Sequence, residues 1–79
     1  MISFTKYAND KFEVLGRHGF PVERASVVQV LELPDAVDET RPPLLFAQRK
    51  IDTAHTLRVV FKAEGELTKV ITFYPIRHA

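Results

Sequence analysis

Residues 51–77 read I-D-T-A-H-T-L-R-V-V-F-K-A-E-G-E-L-T-K-V-I-T-F-Y-P-I-R. Two runs rich in β-branched and aromatic residues flank Glu64-Gly65, and Pro75 closes the second. Such runs around a glycine-containing turn read as a β-hairpin. Cationic and hydroxyl side chains alternate with the apolar ones. The hairpin therefore offers one face to a core and another to solvent or a ligand.

Those faces limit the hairpin's register. A two-residue Glu64-Gly65 turn sets Phe61 beside Thr68 and Arg58 beside Ile71, mixing polar and apolar residues on both faces. A three-residue loop, Glu64-Gly65-Glu66, pairs Ala63 with Leu67, Val59 with Ile71 and Leu57 with Phe73. The other face then carries Lys62 beside Thr68, Val60 beside Val70, Arg58 beside Thr72 and Thr56 beside Tyr74. The three-residue loop, or one of equal parity, is the expectation, with Lys69 left opposite Phe61 and obliged to snorkel at the sheet edge.

Upstream, Ile2 and Phe4 alternate with polar neighbours and predict a short edge strand. Thr5 is a helix N-cap candidate. From residue 6 to 18, Tyr7, Ala8, Phe12, Val14 and Leu15 recur at helical spacing, and Gly19 suits the position just past the end. Pro21 fits the first turn of a second helix and Glu23 favours its dipole. Val22, Ala25, Val27, Val28, Val30 and Leu31 predict a heavily buried helix, stopped by Leu33-Pro34. Residues 35–43 hold three acids, one arginine and two prolines and read as a mobile connection. Residues 44–51 predict a strand of ambiguous phase, with Leu44 and Phe46 arguing for one face and Leu45, Ala47 and Ile51 for the other. Asp52-Thr-Ala-His55 reads as a turn. The expected architecture is one α+β domain over residues 1–79, β-α-α-β-β-β, with two helices on one face of an antiparallel sheet.

At 79 residues the chain buries only about 60–65% of its unfolded surface. That allows one small core and a shallow surface site or interface, not a deep internal cavity. There is no cysteine, which excludes disulfides and zinc-thiolate sites and favours a cytoplasmic home. The N-terminus lacks a signal-peptide core, and no apolar run approaches the roughly 20 residues that span a bilayer. No phosphate-binding glycine loop, H-E-x-x-H or G-x-S-x-G occurs. The three histidines lack metal-ligand spacing, so no metal site and no cofactor are expected.

Charge is divided along the chain. Residues 1–40 carry four bases against seven acids, net −3; residues 41–79 carry seven bases against three acids, net +4. Two ordinary solvated surfaces account for this, and so does a basic sheet facing phosphates behind acidic helices. On the second account Arg58, Thr72 and Tyr74 cluster on the sheet face away from the helices. Arg49 or Lys50 joins them from the neighbouring strand, Lys62 from the same strand, and Arg77 and His78 follow Pro75 just past the strand end. An arginine fork suits a phosphate, and a tyrosine ring can stack on a base. The simpler account of His18 is a cation at a helix C-terminus, and of His55 a surface turn residue.

Three stretches resemble the RelE/ParE-like toxin superfamily, nearest the small BrnT-like proteins and an allied uncharacterised domain family. Arg17-His-Gly-Phe-Pro-Val-Glu-Arg-Ala is similar to the K-H-G-x-S-x-E-E-A join between the two helices of BrnT-like proteins. Val27-Val-Gln-Val-Leu-Glu-Leu-Pro is similar to the second helix and its proline stop. Ile51-Asp52, Leu57-Arg-Val-Val-Phe and Val70-Ile-Thr-Phe-Tyr-Pro resemble the strand pattern of the uncharacterised family. The resemblance implies a RelE-like fold and, in RelE-type members, metal-independent mRNA cleavage, often at the ribosome. It implies Arg58 and Arg77 as phosphate-binding arginines and Tyr74 or His78 as proton donor or acceptor. Arg49, Lys50, Lys62 and Thr72 are the expected RNA-contacting neighbours, and an antitoxin protein is an expected partner. The chain departs from the pattern in ending helix one with Arg17-His18 rather than a lysine-rich stretch. Related toxins also continue with a short segment after the position of Arg77-His78.

The competing expectation is a non-catalytic interaction module that binds an antitoxin-like helix or its own copy through Leu44, Leu45, Phe46, Val60 and Val70. A DNA-binding domain fits less well, because Glu23, Glu32 and Asp35 on the helix pair would face phosphates.

Overall fold

The computed structural model describes residues 1–78. Its elements are β1 (Ile2–Phe4), α1 (Lys6–Arg17), α2 (Arg24–Glu32), β2 (Ala36–Arg41), β3 (Leu44–Lys50), β4 (His55–Glu64) and β5 (Leu67–Arg77). The strands form one sheet in the order β1-β5-β4-β3-β2. β1 runs parallel to β5 and every other pair is antiparallel, so the sheet is mixed rather than wholly antiparallel. Both helices pack on one face. Ala8, Val27 and Val30 meet Ala47, Leu57, Val59, Val70 and Phe73 in a fully buried core.

Local chemistry accounts for α1. Thr5 is extended, and its hydroxyl accepts a hydrogen bond from the Ala8 N–H at 3.1 Å, capping the helix as expected. At the other end Gly19 takes φ of 80°. The Phe20 N–H then reaches the Leu15 carbonyl at 2.9 Å and the Gly19 N–H reaches Gly16 at 3.1 Å, the pairing of a Schellman motif.

α2 starts later than the sequence suggested. Glu23 is its N-cap, with extended backbone and no side-chain cap bond, so Pro21 lies outside the first turn. Its valines do not make it buried all round: Val27 and Val30 are fully buried, Val28 and Leu31 half-buried, and Ala25 exposed. Arg24 fixes the helix pair. Its guanidinium lies over the rings of Phe4 (4.7 Å) and Phe12 (5.2 Å) and donates to the Asn9 side chain.

Residues 35–43, expected as a mobile connection, contain β2. Ala36, Val37 and Asp38 pair with Gln48, Ala47 and Phe46 of β3, and Pro42-Pro43 makes the turn. Pairing with β3 satisfies backbone groups that would otherwise form an open edge, and it overrides a composition poor in strand formers. β2 is itself an edge strand and almost wholly exposed.

Near the turn the β4–β5 register differs from both sequence alternatives; beyond Ile71 it has the parity expected of the three-residue loop, with Leu57, Val59 and Phe73 on the helix side and Arg58, Thr72 and Tyr74 on the other. Glu64 pairs with Leu67 around Gly65-Glu66, and Gly65 supplies a φ of 63°. Phe61 then faces Val70 and Lys62 faces Lys69. A bulge at Ile71 shifts the register, so that Val60 faces Thr72, Val59 faces Phe73 and Arg58 faces Tyr74. This one extra residue places Val70 and Phe73 in the core together and removes the need for Lys69 to lie opposite Phe61. Pro75 does not end the strand: it pairs with Leu57, and β5 runs on to Arg77. β1 pairs only with residues 68–70, so Pro75 lies along a sheet edge, where its missing N–H is tolerated.

Candidate functional site

Alternation along β3, β4 and β5 assigns each candidate side chain to a face. Leu57, Val59 and Phe73 face the helices. Thr56, Arg58, Val60 and Lys62 of β4 therefore face away, with Phe46, Gln48 and Lys50 of β3 and Lys69, Thr72, Tyr74 and Ile76 of β5 opposite or beside them. No helix covers this open face.

Arg58 stands at its centre. Gln48 lies across β3 and Tyr74 across β5. The Gln48 amide oxygen accepts from Arg58 Nε at 3.3 Å and Nη2 at 3.0 Å. The guanidinium is thereby oriented by a neutral partner and keeps its remaining donors. Val60 is only 5% exposed although no helix roofs it. Thr56 is 7% exposed and its hydroxyl lies 2.7 Å from His78 Nε2, which draws His78 onto this face.

The face is basic. By register or contact it carries Arg41, Lys50, Arg58, Lys62 and Lys69 against Asp38 and, at the hairpin tip, Glu64. Arg41 stacks over Phe46 at 5.1 Å. Lys62 and Lys69 are direct cross-strand partners, a repulsive arrangement. Asp38 accepts from the Thr40 hydroxyl at 2.6 Å and from its N–H at 2.9 Å. These bonds, aided by the charges of Arg41 and Arg58, hold its carboxyl below the ordinary range. Among the described residues no pocket forms, so a ligand here would lie on the surface. Among the same residues no three His, Asp or Glu side chains gather as metal ligands.

Of the eight candidates, Arg58, Tyr74, His78, Lys50, Lys62 and Thr72 share this face, and two do not. Arg49 pairs with Leu57, so it points to the helix side. There Nη1 donates to the Leu33 carbonyl at 2.7 Å and lies 3.9 Å from Asp35, tying β3 to the end of α2. Arg77 lies within β5 rather than past its end, and it pairs with His55 on the helix side. Arg58 and Arg77 therefore cannot grip one phosphate together. The proposed apolar patch is also divided: Val70 and Val60 are buried and Leu45 faces the helices, leaving Leu44 and Phe46.

Gln48 is not among the expected site residues, and Thr56 is expected on this face without a role. Their signal becomes legible only when the phase of β3 and the parity of β5 are known. No family model, no curated protein and no solved structure matches the chain. No helix among the described residues is long and apolar enough to cross a membrane.

Proposed function

We propose that the open sheet face binds RNA, and that the chain is a toxin-like endoribonuclease of the RelE/BrnT kind that cleaves without a metal. One observation carries this reading. Arg58 and Tyr74 are cross-strand partners, and His78, just past the end of β5, bonds Thr56, on an unroofed face where cations outnumber carboxylates five to two. Arg58, held by Gln48, is the phosphate ligand. Tyr74 offers a ring for base stacking, and Lys50, Lys62 and Lys69 receive the flanking backbone. The repulsion between Lys62 and Lys69 is relieved when an anion lies over them.

In the cleavage step the RNA 2′-oxygen attacks the adjacent phosphorus. The 2′-proton passes to a base, the P–O bond to the 5′-oxygen breaks, and that oxygen is reprotonated. The products are a 2′,3′-cyclic phosphate and a 5′-hydroxyl. His78, whose ring nitrogen already engages the Thr56 hydroxyl, is the group suited to carry the proton, with Tyr74 as the second donor. Arg58 offsets the charge that develops on the phosphoryl oxygens.

The test is expression of the parent and Arg58→Ala under tight induction in a bacterial host, with growth and transcript integrity followed, beside salt-dependent binding of a labelled single-stranded RNA. Growth arrest, fragmented transcripts and binding that weakens with salt are expected of the parent, and Arg58→Ala should lose the first two. Each lost phosphate contact should reduce the salt slope by about 0.7. Binding that ignores salt would overturn the reading.

One observation favours a second reading, an interaction module without chemistry. β2 pairs on one side only and is exposed at every residue but the half-buried Asp38, as an edge that accepts a partner's strand would be. Under this reading a partner, an antitoxin-like protein or a second copy, adds to β2. Light scattering after size-exclusion separation that gives a dimer abolished by Val37→Lys would favour it over the nuclease.

A further inference from the structure

We propose that Asp52, His55 and Arg77 form a second site, on the helix side of the sheet, that takes a phosphate monoester group. It lies on the face opposite Arg58 and does not rest on the RNA reading above.

The β3–β4 loop fixes a histidine in a specific pose. His55 Nδ1 lies 3.0 and 3.1 Å from the two Asp52 carboxylate oxygens. The loop is closed around this pair: the N–H groups of Ile51 and Asp52 reach the His55 carbonyl at 3.0 and 3.3 Å, and the Ala54 N–H reaches Asp52 Oδ1 at 2.7 Å. The ring of Phe20, carried by the turn at Gly19, packs against the imidazole at 4.7 Å between centroids, in an edge-on arrangement. Asp52 thus engages Nδ1 and Phe20 braces the ring. Nε2 has no hydrogen-bond partner among the described residues, and the side chain is 22% exposed.

Arg77 is the in-register partner of His55 on β5 and shares its face. The strand end is fastened there by the His78 N–H, which donates to the Ala54 carbonyl at 2.7 Å. Asp52 is committed to His55 and Ala54, and Arg77 has no carboxylate partner among the described residues. An anion is what this arrangement lacks. Nδ1 faces Asp52, which leaves Nε2 for a ligand, and the cross-strand position places Arg77 on the same face. A carboxylate is satisfied by the fork alone, whereas a tetrahedral phosphoryl group has a further oxygen for Nε2–H. Asp52 bonds the imidazole, Arg77 is its cross-strand partner, and the connection between the helices contributes the uncharged Phe20.

The experiment is titration of the full chain with inorganic phosphate at about pH 6, within the range in which histidines of folded proteins ordinarily titrate, followed by the side-chain nitrogen resonances of His55 and Arg77. Saturable shifts of both are expected with phosphate, and none with acetate at equal ionic strength. Arg77→Gln and His55→Gln should each weaken binding by about tenfold, while Arg58→Ala leaves it unchanged. Backbone amide spectra of both variants separate loss of the site from loss of the fold. A 5′-phosphorylated dinucleotide that displaces phosphate where its 5′-hydroxyl counterpart fails would identify a nucleic-acid end as the source; failure of both would assign the site to free phosphate. Absence of saturation at His55, or shifts that persist in Arg77→Gln and vanish in Arg58→Ala, would overturn the proposal.

Discussion

The two faces of the sheet bury side chains by different means. On one, α1 and α2 cover Leu57, Val59, Val70 and Phe73 completely, and Phe12 packs on Phe73 with ring centroids 4.6 Å apart. On the other nothing covers the strands, yet Val60 and Thr56 are nearly as well shielded. There the polar side chains are fastened to their neighbours, with Arg58 bonded to Gln48, Arg41 stacked on Phe46 and His78 closing on Thr56. The roofed face can be altered only by disturbing the packing between layers. The unroofed face is a layer of movable charged and aromatic groups over a thin apolar base, which a flat polyanion could engage without displacing any element.

Adjacent residues of β5 sharpen that contrast. Phe73→Ala should destabilise the fold by about 3–5 kcal/mol, a large share of the roughly 5–15 kcal/mol that holds a domain together. Tyr74→Ala, one residue on but on the open face, should lose about 1 kcal/mol and weaken RNA binding by about 1–3 kcal/mol per stacked base. Urea unfolding of the two variants checks the first figures and RNA titration the last. Equal destabilisation would mean that the open face is as much a core as the covered one.

The order of elements and most of the covered face were legible because they follow short-range rules. Thr5, Gly19 and the alternation of Leu57, Val59 and Phe61 act through their own neighbours or their own strand. What failed depends on partners distant in the chain. β2 has only one sizeable apolar residue in Ala36–Arg41 and is a strand because β3 needs a partner. The bulge at Ile71 has no sequence mark, yet it sets which residues beyond it face the helices, and the continuation of β5 past Pro75 puts Arg77 on the helix side, away from Arg58. The candidate site was legible to the same extent: Arg58, Thr72 and Tyr74 shared a face in the sequence reading as in the fold, but Gln48 and the Thr56–His78 contact required the true registers.

Lys69→Glu breaks the contrast in the other direction. It replaces a cross-strand lysine pair on the open face with an opposite-charge pair and should stabilise the fold by about 0.2–1 kcal/mol. The same change should weaken single-stranded RNA binding and lower its salt slope. Thermal unfolding and a salt series on one preparation measure both. A variant that gains stability and retains full RNA affinity would show that the lysine pair has no part in the interface.

The smallest effect concerns the acid that borders the basic face. Asp38 sits in β2 with its carboxylate bonded to the Thr40 hydroxyl and N–H, and its pKa is lowered chiefly by that hydroxyl, then by the N–H, with Arg41 and Arg58 adding less. A carboxyl whose folded pKa lies below its unfolded value contributes stability that is present above the unfolded value. That contribution is lost as pH falls through the lower folded value. Thr40→Val removes the hydroxyl and keeps the branched shape, so the Asp38 titration should move up toward the ordinary range and the acid loss should begin at higher pH. Arg58→Ala should move it in the same direction by less. Carboxyl carbon shifts followed through an acid titration report both. If Arg58→Ala produces the larger movement, Asp38 is coupled to the guanidinium more strongly than to its own turn. A phosphate would then have to compete with a resident carboxylate for Arg58, and the open face would be less free to bind a polyanion than its register suggests.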